Sequence, residues 1–357
     1  MPARALTGPV RVIGAGLLGT SVALACRRAG LEVLLVDVAS EHVRTATGLG
    51  AGRADDGTAA QLVVVAVPPD HLGAAIAGAL VDGDAIVTDV GSIKSQPLVE
   101  VRDVVPPDAL ARYVGGHPMA GSERSGPLAA SATLFEGRPW AITPHDTADP
   151  AAVALVRDLV DVCGAVALEY APDEHDLAVA RVSHLPHLMS SLVAGRLAQA
   201  PVEHLALSGQ GVRDVTRIAG SDPSLWKQII AGNATALLGL LDEVAARLAD
   251  LRGLVEAADS DALAELLAEG VAGTRAIPGK HGGPVRPMTG VYVAVPDRPG
   301  ELARLFADAG EGGFNIEDMH MDHDPGREVG LLEIVVATEQ ADALAESLAE
   351  RGWVVHP

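Results

Sequence analysis

Cysteine, aromatic side chains and positive charge are all scarce in this chain. Two cysteines, Cys26 and Cys163, occur among 357 residues. That excludes a disulfide framework and leads us to expect a reduced, cytoplasmic protein. Aromatic residues make up 3% of the chain, and no function is read from their replacement by Ala, Val, Leu and Gly. Hydrophobic residues still reach 48%, enough to build real cores. Twenty-six Lys and Arg face 47 Asp and Glu, a formal charge of −21. Such a field disfavours nucleic acid and anionic membranes as partners. It also repels anionic substrates at long range, so any anion site must carry its own local cations. No apolar run reaches the ~18 residues of a membrane span. The N-terminus lacks a charged segment followed by an apolar core, so no signal peptide is expected. The length suggests two or three domains.

What the chain does contain is punctuated by glycine. Residues 10–13 read as a short buried strand and run directly into Gly14-Ala15-Gly16-Leu17-Leu18-Gly19, after which an apolar helix continues to about Ala29. This is a G-x-G-x-x-G fingerprint in the strand-before, helix-after context that gives it meaning. Gly14 allows the tight turn, Gly16 lets a pyrophosphate approach the backbone, and Gly19 lets the helix pack closely on the sheet. Free N–H groups at the helix start would hold the phosphates. A second strand at 33–36 ends in Asp37, 23 positions after Gly14. A carboxylate about 20 residues on bonds the ribose hydroxyls and repels a 2′-phosphate, which favours NAD over NADP. Arg44 lies further along the next helix and weakens that preference slightly.

Parallel-strand patterns continue. Residues 62–67, ending in Val67 before Pro68-Pro69, form a continuous apolar run of the kind buried on both faces. Another strand, 84–89, leads into Asp89-Val90-Gly91-Ser92-Ile93-Lys94 at the carboxyl edge where open α/β sheets bind ligands. Ser92 and Lys94 are therefore expected to face the cofactor cleft. Ser92 can equally serve as the N-cap of a helix over 93–103. Next comes Gly115-Gly116-His117-Pro118-Met119-Ala120-Gly121-Ser122-Glu123, after a strand-like piece at 112–115. Pro118 pushes His117 away from helical angles. We expect a histidine held on a stiff loop, suited to general-base work. Strands at 140–143 and 166–168 would close this domain.

From Pro172 to about Gly270 the pattern is helical. Ser183-His184-Leu185-Pro186-His187 lies inside it, with His184 and His187 three apart on one side of a helical turn. They read as active-site lining or as satisfied core histidines. No third ligand has matching spacing, so no metal is expected. Arg213 and Arg217, four apart and preceded by Gly209 and Gly211, suggest a carboxylate clamp in so acidic a chain. The bland alternative is an Arg217–Asp214 surface ion pair. Residues 271–288 are rich in Gly and Pro and read as a linker. Beyond them the pattern becomes strand at 291–295, helix at 301–310, strands near 314–321 and 328–337, helix at 339–350 and strand at 353–356.

Taken together, these motifs resemble the prephenate/arogenate dehydrogenase family over nearly the full length. The segments that carry the resemblance are 14–19, 89–94, 115–123, 183–187 and Arg213-Asp-Val-Thr-Arg-Ile-Ala-Gly220. The final βαββαβ order, with Pro296-Asp-Arg-Pro-Gly300, resembles an ACT domain. The resemblance implies an α/β Rossmann-type doubly wound domain (1–170), an all-helical substrate and dimerisation domain (171–270), the linker (271–288), and a small ACT-like regulatory domain (289–357). It implies NAD-dependent oxidative decarboxylation of prephenate, with arogenate or 4-amino-4-deoxyprephenate as alternative substrates. His117 would accept the substrate hydroxyl proton, and Ser92 would bond both that hydroxyl and His117. Arg217 would clamp the side-chain carboxylate; Ser122, Ser183, His184, His187 and Arg213 would line the rest. Gly14, Gly16, Leu17, Leu18, Gly19, Asp37, Val67 and Ser92 would meet the cofactor. Further implications are a homodimer and tyrosine as an effector of the last domain; its bland alternative is a structural or dimerising role. A non-catalytic amino-acid or redox sensor on the same fold is the alternative from another class. Ser92, His117 and Arg217 occurring together argue against it.

Overall fold

The computed structural model describes residues 5–121, 124–277, 287–323 and 329–356. The chain divides into two compact units, 1–246 and 247–357.

The first unit opens with β1 (Val10–Ile13), α1 (Leu17–Arg28), β2 (Val33–Val36), α2 (Ser40–Gly48), β3 (Arg53–Ala54), β4 (Leu62–Val65) and α3 (Pro69–Val81). It continues through β5 (Ile86–Asp89), α4 (Ser95–Arg102), α5 (Pro107–Leu110), β6 (Tyr113–Pro118), β7 (Pro139–Thr143), α6 (Pro150–Val162) and β8 (Val166–Glu169). The eight strands form one sheet in the order β3-β2-β1-β4-β5-β6-β7-β8. Pairing is parallel except between β6 and β7, where the chain reverses.

β4 shows why the sheet is covered on both faces. All four of its residues are buried. Leu62 and Val64 join one aliphatic core with Val12, Leu35 and Leu159, while Val63 and Val65 join a second with Leu72, Ile76 and Val101. A period of two along a strand sends alternate side chains to opposite faces, so a run of apolar residues needs helices on both. Pro68 and Pro69 end the strand and start α3, where a proline costs no hydrogen bond.

Helices α7 (Pro172–Val179), α8 (Leu185–Leu197), α9 (Val202–Leu205), α10 (Gln210–Thr216) and α11 (Pro223–Gly232) follow, then α12 (Ala234–Ala257), which continues past residue 246. A π-helical turn over Ala180–His184 joins α7 to α8. Pro186 lies in the first turn of α8 and has no N–H to offer the preceding turn, which accounts for the widening there. Among the described residues no single helix is long and apolar enough to cross a membrane.

The second unit holds α13 (Ser260–Ala276), which is capped by Asp259 accepting from the Ala262 N–H at 3.1 Å. Residues 271–276, read from sequence as linker, are helical. Val271, Ala272, Thr274, Arg275 and Ala276 tolerate a helix, and the one glycine among them, Gly273, costs only about 1 kcal/mol. Met288, also read as linker, opens the next strand, and residues 278–286 of that segment lie outside the described residues. Then come β9 (Met288–Pro296), α14 (Glu301–Glu311), β10 (Asp318–His323), β11 (Val329–Ala337), α15 (Thr338–Glu350) and β12 (Val354–His356). The sheet order β10-β11-β9-β12 is all antiparallel, a split βαβ arrangement. Val293, Leu305, Ile334, Leu344 and Trp353 form its core.

Candidate active site

At the turn after β1, Gly14 takes a φ of 101°, and a side-chain carbon there would stand 2.3 Å from the Ala66 carbonyl. A Cβ at Gly19 would meet the Gly14 carbonyl, so α1 packs tightly on the turn. Gly16, the N-cap of α1, instead faces open space: nothing lies within 4 Å of where its Cβ would be. Two crowded glycines and one open one are what a backbone cradle for a pyrophosphate needs. Leu17 and Leu18 open α1 and are half-buried, as is Val67 just past β4. Asp37 directly follows β2, and its carboxylate is aimed by two backbone donors, Ala15 N–H and Ala39 N–H, each at 2.7 Å. The residues thus fit a dinucleotide at the carboxyl edge of β1, β2 and β4.

His117 lies within β6, not on a loop after it. It is paired opposite Ala141 of β7. Pro118 favours extended angles in its predecessor, and a strand satisfies that preference as well as a loop does. Gly116 is required beside it: a Cβ there would come within 2.6 Å of the Asp89 carbonyl and 3.0 Å of Trp140 Nε1. His117 is 9% exposed, and its Nδ1 lies 2.9 Å from Nε2 of His175 on α7. His175 Nδ1 in turn lies 2.9 Å from Asp176 Oδ1. Burial, with the charge of Lys94 and those that His175 and His184 would carry once protonated adding to it, pushes the His117 ring well below the ordinary histidine range. The ring is therefore neutral at physiological pH.

Ser92 does not bond His117, contrary to the resemblance; His175 takes that place. Nor does Ser92 cap the following helix, which starts three residues later, at Ser95. The cap comes from α7: Asp176 accepts from Lys94 N–H at 2.9 Å and from Ser95 N–H at 2.8 Å. Ser92 is half-buried in the loop between β5 and α4. Lys94 also departs from expectation. Its side chain is buried, 1% exposed, with Nζ paired to Asp89 and bonded to the Gly116 carbonyl at 2.7 Å. Asp89 is fully buried and further accepts from Tyr113 Oη at 2.9 Å and Gly91 N–H at 2.8 Å. A buried carboxylate needs such partners more than the cleft needs a cation.

His184 and His187 do face one side of the helical turn. His187 stacks on Trp226 of α11 with ring centroids 3.5 Å apart, and His184 meets the same indole edge-on at 6.0 Å. His184 Nδ1 lies 3.1 Å from Asn233 Nδ2, which also donates to the Asp176 carbonyl at 2.8 Å. Burial lowers His184 to about 4 and lowers His187 as well. The Nδ1 atom of His187 is buried without a partner among the described residues. Ser183 is half-buried in the π-helical turn.

Arg213 on α10 and Arg217, which begins a 3-10 turn packed on α8, are both exposed. The Arg217–Asp214 ion pair does not form; Asp214 instead accepts from Gln210 Nε2 at 2.7 Å. Both guanidinium groups are free of ion pairs among the described residues. Ser122 lies outside the described residues. Among those described, no group of three or more His, Cys, Asp or Glu is placed to hold a metal.

Sequence reading missed His175, Asp176, Trp226 and Asn233. His175-Asp176 sits at the start of a helix with no motif around it, and its contact with His117 spans 58 residues. The adjacent His-Asp pair was the only local hint.

The chain matches two family models: "Prephenate dehydrogenase, nucleotide-binding domain" over residues 22–169 and "Prephenate dehydrogenase, dimerization domain" over 171–269. It is 36% identical to a probable prephenate dehydrogenase, NovF, of Streptomyces niveus, over 96% of this chain and 98% of that one. It is 31% identical to the prephenate dehydrogenase of Bacillus subtilis, over 84% of each. The solved prephenate dehydrogenase of A. aeolicus, in complex with hydroxyphenyl propionate and NAD+, superposes with a TM-score of 0.68 at 27% identity, covering 74% of this chain and 96% of that one. The dinucleotide cradle, the buried neutral histidine and these matches agree: the chain belongs to the prephenate dehydrogenase family.

Proposed function

We propose that this protein catalyses the NAD-dependent oxidative decarboxylation of prephenate to 4-hydroxyphenylpyruvate. The observation that carries the reading is a buried imidazole, kept neutral, at the carboxyl end of β6, on the same sheet edge as a dinucleotide cradle. The backbone of Gly14, Gly16, Leu17, Leu18 and Gly19 would hold the pyrophosphate, Asp37 the adenosine ribose, and Val67 and Ser92 the edge of the cleft. When bound, NAD supplies the acceptor for the two electrons removed from the substrate. His117 accepts the proton of the C4 hydroxyl, and Ser92 orients that hydroxyl. Loss of the ring carboxylate as carbon dioxide makes the ring aromatic, so the side chains need mainly to position the substrate and take one proton. Arg217, with Arg213 beside it, supplies the local positive charge that a dianionic substrate needs in so acidic a protein. Ser122, Ser183, His184 and His187 line the remainder.

The reading is tested by following reduced nicotinamide with prephenate and, separately, arogenate, each with NAD and NADP. Turnover of prephenate with NAD is expected. Turnover of arogenate alone would keep the chemistry and change the substrate; none with either would sink the reading. Two variants test individual roles. Arg217→Ala raises the prephenate KM by about tenfold or more, the loss of a charge-assisted hydrogen bond, and leaves the NAD KM nearly unchanged. Equal effects on both would contradict a substrate clamp. Asp37→Ala narrows the NAD-over-NADP ratio of kcat/KM by about tenfold or more. An unchanged ratio would assign cofactor choice to another group.

The domain division read from sequence, the homodimer and the cytoplasmic location belong to the same proposal. Exposed Leu192 on α8 and Leu238 on α12 support self-association. Two buried thiols, Cys26 pushed up to about 12 by burial, support a reduced setting. The βαββαβ unit is the place for a tyrosine effector, tested by adding tyrosine to the same assay.

A further inference from the structure

We propose that Asp176 and His175 are positioning residues that fix the tautomer of His117, leaving its Nε2 lone pair bare for the substrate proton. The inference rests on His117 being the base. Asp176 is pinned first. Its Oδ1 accepts from Lys94 N–H at 2.9 Å and its Oδ2 from Ser95 N–H at 2.8 Å, while Asn233 holds its carbonyl at 2.8 Å. The carboxylate thus sits on the N-terminus of α4, where unpaired amides favour negative charge. Burial alone would raise its carboxyl, but the bonds from His175, Ser95 and Lys94 outweigh burial and hold it below the usual range.

An ionised carboxylate only accepts, so His175 Nδ1, 2.9 Å from Asp176 Oδ1, must carry a proton and donate. In a neutral ring that leaves His175 Nε2 as an acceptor. His117 Nδ1, 2.9 Å away, must then be its donor. The proton of neutral His117 is thereby committed to Nδ1, and Nε2 is the base. His175 is 2% exposed and Asp176 4%, so water is poorly placed to offer either ring another partner. The logic is that of a catalytic carboxylate holding a histidine in one tautomer, with a second imidazole inserted to span the gap between α7 and β6. No proton need pass along the line. When His117 becomes an imidazolium its Nδ1–H is already paired. The same carboxylate fixes the amides of Lys94 and Ser95, so the loop that carries Ser92 is tied to the orientation of the base.

The test is read on the full-length protein. Nitrogen NMR of the chain labelled at its histidine rings, assigned with His117→Asn and His175→Gln, reports which ring nitrogen bears the proton. The expected spectrum has His117 protonated at Nδ1 and bare at Nε2 at neutral pH. A His117 protonated at Nε2 overturns the proposal, and this reading needs no variant to be active. Kinetics supply the second readout. His175→Gln keeps kcat within about tenfold, because its amide can both donate to Asp176 and accept from His117. His175→Leu lowers kcat by about a hundredfold or more, with the prephenate KM and NAD affinity nearly unchanged. Equal kcat for the two variants, or a His175→Leu defect confined to KM, also overturns it. Full turnover in His117→Asn would remove the base assignment while leaving the tautomer measurement to stand on its own.

Discussion

Replacing His117 with asparagine lowers kcat by about two to four orders of magnitude and leaves the dissociation constant for NAD nearly unchanged. Asparagine fits the buried strand position opposite Ala141 and keeps hydrogen-bonding groups, but it cannot take a proton. The cradle that would hold NAD, around Gly14, Gly16 and Asp37, does not involve this side chain. The wild-type pH dependence follows from the same burial. As the proposed base, His117 works only while neutral, so activity is expected to be lost as pH falls through its pKa. That pKa lies well below the ordinary histidine value of about 6.5, because burial and neighbouring positive charge disfavour the protonated ring. The acid limb of kcat/KM assigned to this group should therefore lie below pH ~6.5. Unchanged turnover in His117→Asn would remove this residue from the mechanism.

Exchanging Lys94 for methionine destabilises the protein by about 3–5 kcal/mol, read as a fall in the urea midpoint. Methionine keeps most of the stem volume and leaves Asp89, fully buried, without its counter-charge. Tyr113 Oη and the Gly91 N–H still donate to that carboxylate, but neither carries charge. The double variant Lys94→Met with Asp89→Asn should recover a large part of the loss, since no charge is then left unpaired. A midpoint unchanged in the single variant would show that Lys94 is not needed to balance Asp89. Activity is expected to fall as well, because Lys94 Nζ holds the Gly116 carbonyl directly before His117, the proposed base.

Regular elements were the most legible part of the sequence. The apolar run at 62–67 reads as a strand covered on both sides, and alternate residues of the strand it forms, Leu62–Val65, feed two separate cores. The fingerprint at 14–19 gave the cradle because each glycine answers a local backbone demand. What stayed hidden depended on long-range pairing. Pro118 restricts His117 to extended angles, but only the antiparallel partner β7 decides that the residue is in a strand. Lys94 stands at the carboxyl edge of the sheet, where a cleft-facing cation is a reasonable expectation; the buried Asp89 five residues earlier draws it inward. His175 and Asp176 carry no motif, and their role appears only when α7 is packed against the loop after β5. At 271–276 local composition misled, because a helix already under way absorbs one glycine cheaply.

Giving the purified protein prephenate and NAD and measuring reduced nicotinamide and 4-hydroxyphenylpyruvate in the same sample decides whether this chain carries out the oxidative decarboxylation. The two products are expected together in equal amounts, and the His117→Asn protein is expected to form neither at a comparable rate. Reduced nicotinamide without the aromatic product, or no turnover of prephenate at all, would contradict it.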